Sequence, residues 1–204
     1  MNRSLAPTFA LALAATLALP ALAAEWTLDA AHTEIGFSVR HMMVTDMQGA
    51  FDKYTGTIVV DDKDPTKGEV NLEIDVASIN TKNEKRDGHL KAADFFDVAN
   101  HPKMTFKSSK IAKGAKANTY KVTGDLTIRG VSKPVLLAVE MSDEWTDPKE
   151  WGGNVHRGAK ATAKINRQDF GLTWQTKLDK GGVVAGDEVT ILINAELLKQ
   201  QPKG

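Results

Sequence analysis

Between Glu84 and Phe106 the chain reads EKRDGHLKAADFFDVANHPKMTF, which gathers Arg86, Asp87, His89, Asp94, Asp97 and His101 into one short span. Histidines and carboxylates this close could form an acid–base pair. On a helix, an imidazole is oriented locally by an acid three or four residues away. For His89 those positions hold Lys85, Arg86, Ala92 and Ala93, so helical spacing supplies no acid and two cations. Arg86 and His89, three apart, share a helix face, and the planar guanidinium suits a phosphate, a carboxylate or another polar head group. Two plainer roles compete: Arg86 pairing with a carboxylate on a strand, and His89 packing at a seam beneath the helix. The five histidines, His32, His41, His89, His101 and His156, contain no pair at the helical or strand spacing that fixes two metal ligands, so no metal is expected unless the fold assembles a site from distant segments. Nucleophile-elbow, phosphate-loop and dinucleotide fingerprints do not occur.

The elements that must hold these residues are mostly strands. Thr81 and Glu84 have capping-box spacing and predict a helix from about Lys82 to Phe96, weakened at Gly88, supported by an Asp87–Lys91 pair and stopped at His101-Pro102. Elsewhere the period is two. Ile35, Phe37 and Val39 alternate with polar or small neighbours. Val70, Leu72, Ile74 and Val76 do the same, as do Tyr120, Val122, Leu126 and Ile128, and Val189, Ile191 and Ile193. Each run reads as an antiparallel strand with one apolar face. Polar segments at 61–69 and 113–119 and a tight turn at Gly130 join them, with Pro134 expected at a strand start. About eight long strands joined by hairpins favour a closed up-and-down barrel with a short helical insertion, an all-β fold.

One strand, RGAKATAKI, places Ala159, Ala161, Ala163 and Ile165 on one face. Small side chains on the wall of a barrel this size leave room for a ligand, unless Phe37, Phe51 or Trp174 reaches across and fills it. The loop at 142–156 carries Trp145 and Trp151, each suited either to an interface or to packing over the barrel end.

Composition narrows the class further. Lys+Arg and Asp+Glu are equal at 26 each, which speaks against a nucleic-acid binder. Cysteine is absent, which excludes thiol chemistry. Residues 1–23 read as a secretory signal: Arg3, an apolar run from Leu5 to Leu19, Pro20, and small residues at Ala21 and Ala23, with cleavage after Ala23 or, as the runner-up, Ala24. Residues 24–204 then form one domain with no later run apolar enough to span a bilayer, and the expected compartment is the periplasm or the exterior.

Six stretches in order, WTLDAAHTEIGFSVRHM, GAFDKYTGTI, the 84–106 segment, VTGDLTIRGVSKPV, WGGNVHRGAKATAKINRQDFGLTW and GDEVTILINAEL, together resemble the YceI-like family of periplasmic polyisoprenoid-binding proteins. The resemblance implies an eight-stranded, lipocalin-like antiparallel barrel, a long apolar tunnel for an isoprenoid or other amphiphilic lipid, a homodimer, and no catalytic residues. Members often carry an aromatic where this chain has Ala159, a difference that bears on tunnel width. The expected function is a non-catalytic lipid carrier without cofactor or metal. Its tail wall would be Ile35, Phe37, Val39, Leu72, Ile74, Val76, Ala161 and Ala163, and its head-group contacts Arg86 and His89. The competing readings are an enzyme on a lipid or quinone-like substrate using the His89 region, and a filled barrel acting through protein contacts.

Overall fold

The computed structural model describes residues 23–61 and 63–200, so residues 1–22 of the expected signal segment lie outside the described residues. Among the described residues, eleven strands and one α-helix occur in the order β1 (Ala24–Leu28), β2 (Glu34–His41), β3 (Thr45–Phe51), β4 (Tyr54–Val60), β5 (Glu69–Asp75), β6 (Ile79–Asn80), α1 (Glu84–Lys91), β7 (Lys103–Lys113), β8 (Thr119–Ile128), β9 (Val131–Thr146), β10 (Val155–Asn166) and β11 (Ala185–Lys199).

Their pairing reduces eleven segments to eight staves. β1 and β2 lie end to end along β11; β4 pairs with β1 while β3 pairs with β2; β5 follows β4 while β6 follows β3. β7, β8, β9 and β10 then continue antiparallel to β11, and the β1–β11 pairing closes the ring. The result is the closed eight-stranded antiparallel barrel expected from the alternation.

The breaks within the split staves are chemically defined. After β1, the Asp29 carboxylate accepts from the Ala31 N–H at 2.9 Å, so the chain turns before β2. Between β3 and β4, the Lys53 N–H donates to Ser78 Oγ at 2.9 Å and the Asp52 N–H to the Ser78 carbonyl at 3.2 Å. Ser78 lies in the break between β5 and β6, so one break satisfies the orphaned backbone of the next.

Period-two burial is clear along β8, where Val122, Gly124, Leu126 and Ile128 point into the core. Arg129 and Gly130, at φ 50° and 74°, make the tight connection to β9. Pro134 does not open a strand as expected. It sits inside β9 opposite Asp125, where its missing N–H is tolerated because the pairing of β9 with β10 ends at Ala138.

The helix is shorter than the spacing predicts. Lys82 adopts φ 60° and breaks the expected entry, so Asn83 becomes the cap and its side chain accepts from the Arg86 N–H at 3.0 Å. The Thr81–Glu84 capping box does not form. Asn caps at least as well as Thr, and the left-handed Lys82 puts Asn83 in the extended geometry that a cap requires. The helix ends at Lys91, and residues 92–100 continue as turns.

Candidate functional site

The barrel encloses a chamber of about 580 Å³ walled by the apolar faces of its strands. Ile35, Phe37 and Val39 from β2 and Leu72 and Ile74 from β5 line it, as alternation predicts. A second chamber of about 100 Å³ lies beyond, lined in part by Ala159, Ala161 and Ala195. Ile35, Leu72, Leu137 and Ile193 border both spaces and form the waist between them. Phe37, Phe51 and Trp174 sit on the wall and leave the space open.

Two predicted wall residues border neither chamber. Val76 is buried, but β5 ends at Asp75, whose carboxylate accepts from the Ala77 N–H and turns the chain; Val76 thereby leaves the alternating face. Ala163 lies on the inward face of β10 between Ala161 and Ile165 and is buried in the core cluster rather than on either chamber's surface.

Polar groups concentrate at one end, where α1, the β2–β3 hairpin and residues 171–185 surround the opening; Asn83, Lys85, Arg86, His89, Gln48 and Arg40 border the chamber there. Arg86 and His89 are thus both at the mouth. Arg86 is not paired with a strand carboxylate. Its Nε donates to Thr81 Oγ1 and its Nη2 to the Thr81 carbonyl, both at 2.7 Å, and its Nη1 faces Met47 Sδ at 4.0 Å. Thr81 in turn donates its N–H and hydroxyl to the Asp87 carboxylate, which therefore turns toward Thr81 rather than toward Lys91.

His89 has the acid that helical spacing denies it. Its Nε2 lies 2.8 Å from Asp94 Oδ2. The helix stops at Lys91, and the following turn brings a residue five positions on back beneath the ring. The same bond holds the Asp94 carboxyl below its ordinary range. Phe95 and Trp174 meet the imidazole edge-on, with centroids at 4.9 and 5.3 Å. Arg129 Nη1 donates to the Phe95 carbonyl at 2.6 Å and fastens this turn to the barrel. His89 therefore packs at a seam and is oriented by an acid at the same time.

Arg167, which sequence reasoning did not single out, fixes the opposite rim. It is 5% exposed, directly after β10. Its guanidinium donates to the carbonyls of Leu172, Trp174, Gly186 and Ala185 and to Asp187 Oδ1. Burial pulls its pKa down and Asp187 opposes that. One buried cation thus clamps both ends of the 171–185 segment and places Trp174 over His89.

Away from the mouth, the fold assembles a second polar cluster. His32 Nδ1 lies 2.6 Å from Asp29 Oδ2, and His156 lies 2.7 Å from Glu196 Oε1 and 3.4 Å from Asp147 Oδ2. Asp29, His32 and Glu196 bring potential ligand atoms within 4.8 Å of one another, on segments too far apart in sequence for local spacing to reveal. Trp145 and Trp151 are 72% and 75% exposed, so neither packs down over the barrel end.

Comparison with known proteins agrees with this architecture. The model of the YceI-like domain matches residues 26–197. The UPF0312 protein plu2095 of Photorhabdus laumondii is 35% identical over 183 residues, covering 89% of this chain and 90% of that protein. Protein YceI of Escherichia coli O157:H7 is 34% identical over the same extent. Among solved structures, Burkholderia cenocepacia BcnA superposes with a TM-score of 0.71 at 26% identity, covering 83% of this chain and 98% of that one. A Campylobacter jejuni YCEI protein gives 0.66 at 31% identity, covering 86% and 98%. A polyisoprenoid binding domain from Saccharophagus degradans, at 0.60 and 18% identity, shares the fold. By sequence along nearly its whole described length and by architecture, this chain belongs to the YceI-like family.

Proposed function

We propose that the protein is a non-catalytic binding or carrier protein for an isoprenoid or other amphiphilic lipid, exported to the periplasm by its N-terminal segment. The observation that carries this reading is the roughly 580 Å³ apolar chamber with its polar groups gathered at one end. An apolar tail would bury its surface against Ile35, Phe37, Val39, Leu72 and Ile74, at about 25 cal/mol per Å² removed from water. Ala161 lines the smaller chamber, where a tail passing the waist would end. Arg86 and His89 would face the polar head. The solved Saccharophagus relative, described as a polyisoprenoid binding domain, is consistent with this class of ligand.

Mass spectrometry of an organic extract of the purified protein is the direct test, followed by titration with a defined isoprenoid. Recovery of a stoichiometric lipid is expected. No lipid in the extract and no uptake of added isoprenoid would dismiss the reading. The expected homodimer is measured in the same preparation by sedimentation.

The His89–Asp94 pair favours a second reading, an enzyme that moves a proton on a lipid head group. His89→Ala separates the two. A carrier keeps its tail affinity, whereas an enzyme loses turnover while ligand still binds.

A further inference from the structure

The β2–β3 hairpin is an expensive turn to build. Its central residues Met42 and Met43 have φ of 51° and 61°, and the Val44 N–H closes onto the His41 carbonyl at 3.0 Å. This is the type I′ pattern, which Asn-Gly fills best and which most L-residues enter only under strain. The same tip leaves Met42, Met43 and Val44 40%, 49% and 74% exposed, three consecutive apolar residues facing water. Local stability favours neither choice.

The tip is nevertheless held in place. Arg40 donates to the Met43 carbonyl at 3.1 Å and to Asp46 at 3.2 Å. The Met42 N–H donates to the Val184 carbonyl at 2.9 Å, and the Met43 side chain lies against Gly182. Arg40 and His41 on one side and Val184 and Ala185 on the other border the chamber. An ordered apolar ridge therefore stands on the rim of the mouth.

Charge distinguishes this end from the other. The segments around the mouth, 40–48, 82–91 and 171–185, taken with Asp94, Arg167 and Asp187 that face it, hold eight Lys and Arg against six Asp and Glu, in a chain that is neutral overall. Among the described residues, exposed aromatic side chains stand on the arm at 142–155, at the far ends of β9 and β10, which holds Trp145 and Trp151. It carries four acids and one lysine. An anionic surface attracts the first end and repels the second.

We propose that the Met42–Val44 ridge is a membrane-docking lip. Its three apolar side chains enter the interfacial layer of an anionic bilayer, and the basic rim lies against the phosphates. The chamber mouth then faces the lipid from which a tail could enter, and in that purpose the proposal rests on the carrier reading. Strain at a functional site is retained where the surrounding structure enforces it, and Arg40 and Val184 do so here. A basic rim suits an anionic bilayer better than a second copy of the same basic rim.

The test is flotation with vesicles of phosphatidylcholine alone and with added phosphatidylglycerol. The exported chain, freed of residues 1–23, should float with the anionic vesicles, less so as salt rises. Met42→Asn with Met43→Gly installs the preferred turn, so the hairpin is kept while the ridge loses two of its three apolar side chains and keeps only Val44. This variant should bind at least about tenfold more weakly, the scale of two methionine side chains withheld from the interface. Its melting temperature should be equal or higher. Trp145→Ala with Trp151→Ala should float like the parent. Absence of flotation by the parent, unchanged flotation of the hairpin variant, or loss of flotation by the tryptophan variant each overturns the proposal. A hairpin variant that instead turns a dimer into a monomer assigns the ridge to self-association. The vesicles contain no isoprenoid, so docking stands or falls separately from what the chamber holds.

Discussion

Arg167→Met tests whether one buried cation holds the mouth together. The side chain is 5% exposed and donates to four carbonyls and one carboxylate. Methionine keeps much of the stem volume but none of the donors. Asp187 retains two partners, Gln168 Nε2 at 2.7 Å and Gln175 Nε2 at 3.1 Å, so the loss falls mainly on the carbonyls of Leu172 and Trp174. Hydrogen bonds to charged groups contribute about 1.5–3 kcal/mol each, but the loop can lift and rehydrate its carbonyls, so the bonds do not add. The expected loss is about 3–5 kcal/mol, the range for breaking one side of a buried charge network. For a domain of this size that lowers the melting temperature by roughly 6–20 °C. Arg167→Lys keeps the charge, loses the fork and recovers a minority of the loss. Hydrogen exchange should accelerate first in residues 171–185. A variant within about 1 kcal/mol of the parent, with exchange in that segment unchanged, would refute the clamp.

Gly88 sits inside α1, and a Cβ there would meet nothing within 4 Å, so Gly88→Ala should raise stability by about 0.5–1 kcal/mol in urea unfolding. Ala161→Phe should fill the lower chamber and shift extracted ligands toward shorter tails at unchanged stoichiometry, for a cost of about 1–3 kcal/mol in stability. Recovery of the same tail lengths would show that the lower chamber is not used.

The pH dependence follows from the second polar cluster. The hydrogen bond to Glu196, helped by Asp147 against the opposing effect of burial, raises His156 above its ordinary 6.5; the bond to Asp29 raises His32. The stability they contribute is complete below 6.5 and is lost as pH climbs through their raised values. Asp29, bonded to His32, is lowered from 3.8; Asp147 is lowered too, because bonds from Asn154 and His156 outweigh its burial. Their contribution is complete above 3.8 and is lost as pH falls through their depressed values. Melting temperature should therefore peak between these limits, and His156→Gln should flatten the decline on the alkaline side.

The barrel wall was legible because a buried face enforces a strict period. Ile35, Phe37 and Val39, and equally Leu72 and Ile74, announce which way they point, and one unbroken alternation cannot face two ways. The alternation fails where the chain leaves the strand, as at Val76, and the apolar residue alone gives no warning. Asp94 was missed for a related reason. Its approach to His89 exists only because α1 stops at Lys91, and the capping box that Thr81 and Glu84 suggested implied a longer helix. Asn83 in place of Thr81 as the cap was the available signal. Arg167 left no trace in the pattern, since its partners are mainly backbone carbonyls, which carry no side-chain identity. The Asp29–His32–Glu196–His156 cluster spans nearly the whole chain and emerges only when β11 meets β1, β2 and β10.

That meeting also governs how the chain must fold. Among the described strands β11 comes latest in the chain, and it pairs with three partners at once, β10 on one side and β1 and β2 on the other. Until residues 185–199 are available, the sheet has two open edges and the interior has no seal. Every pairing of β11 with β1 or β2 then joins positions well over a hundred residues apart, such as Trp26 and Lys199 or His41 and Ala185. Closure of such long loops is slow, and open strand edges invite pairing between chains. A chain shortened before β11 would therefore aggregate rather than form a smaller barrel, and the slowest folding phase should report the capture of this final strand.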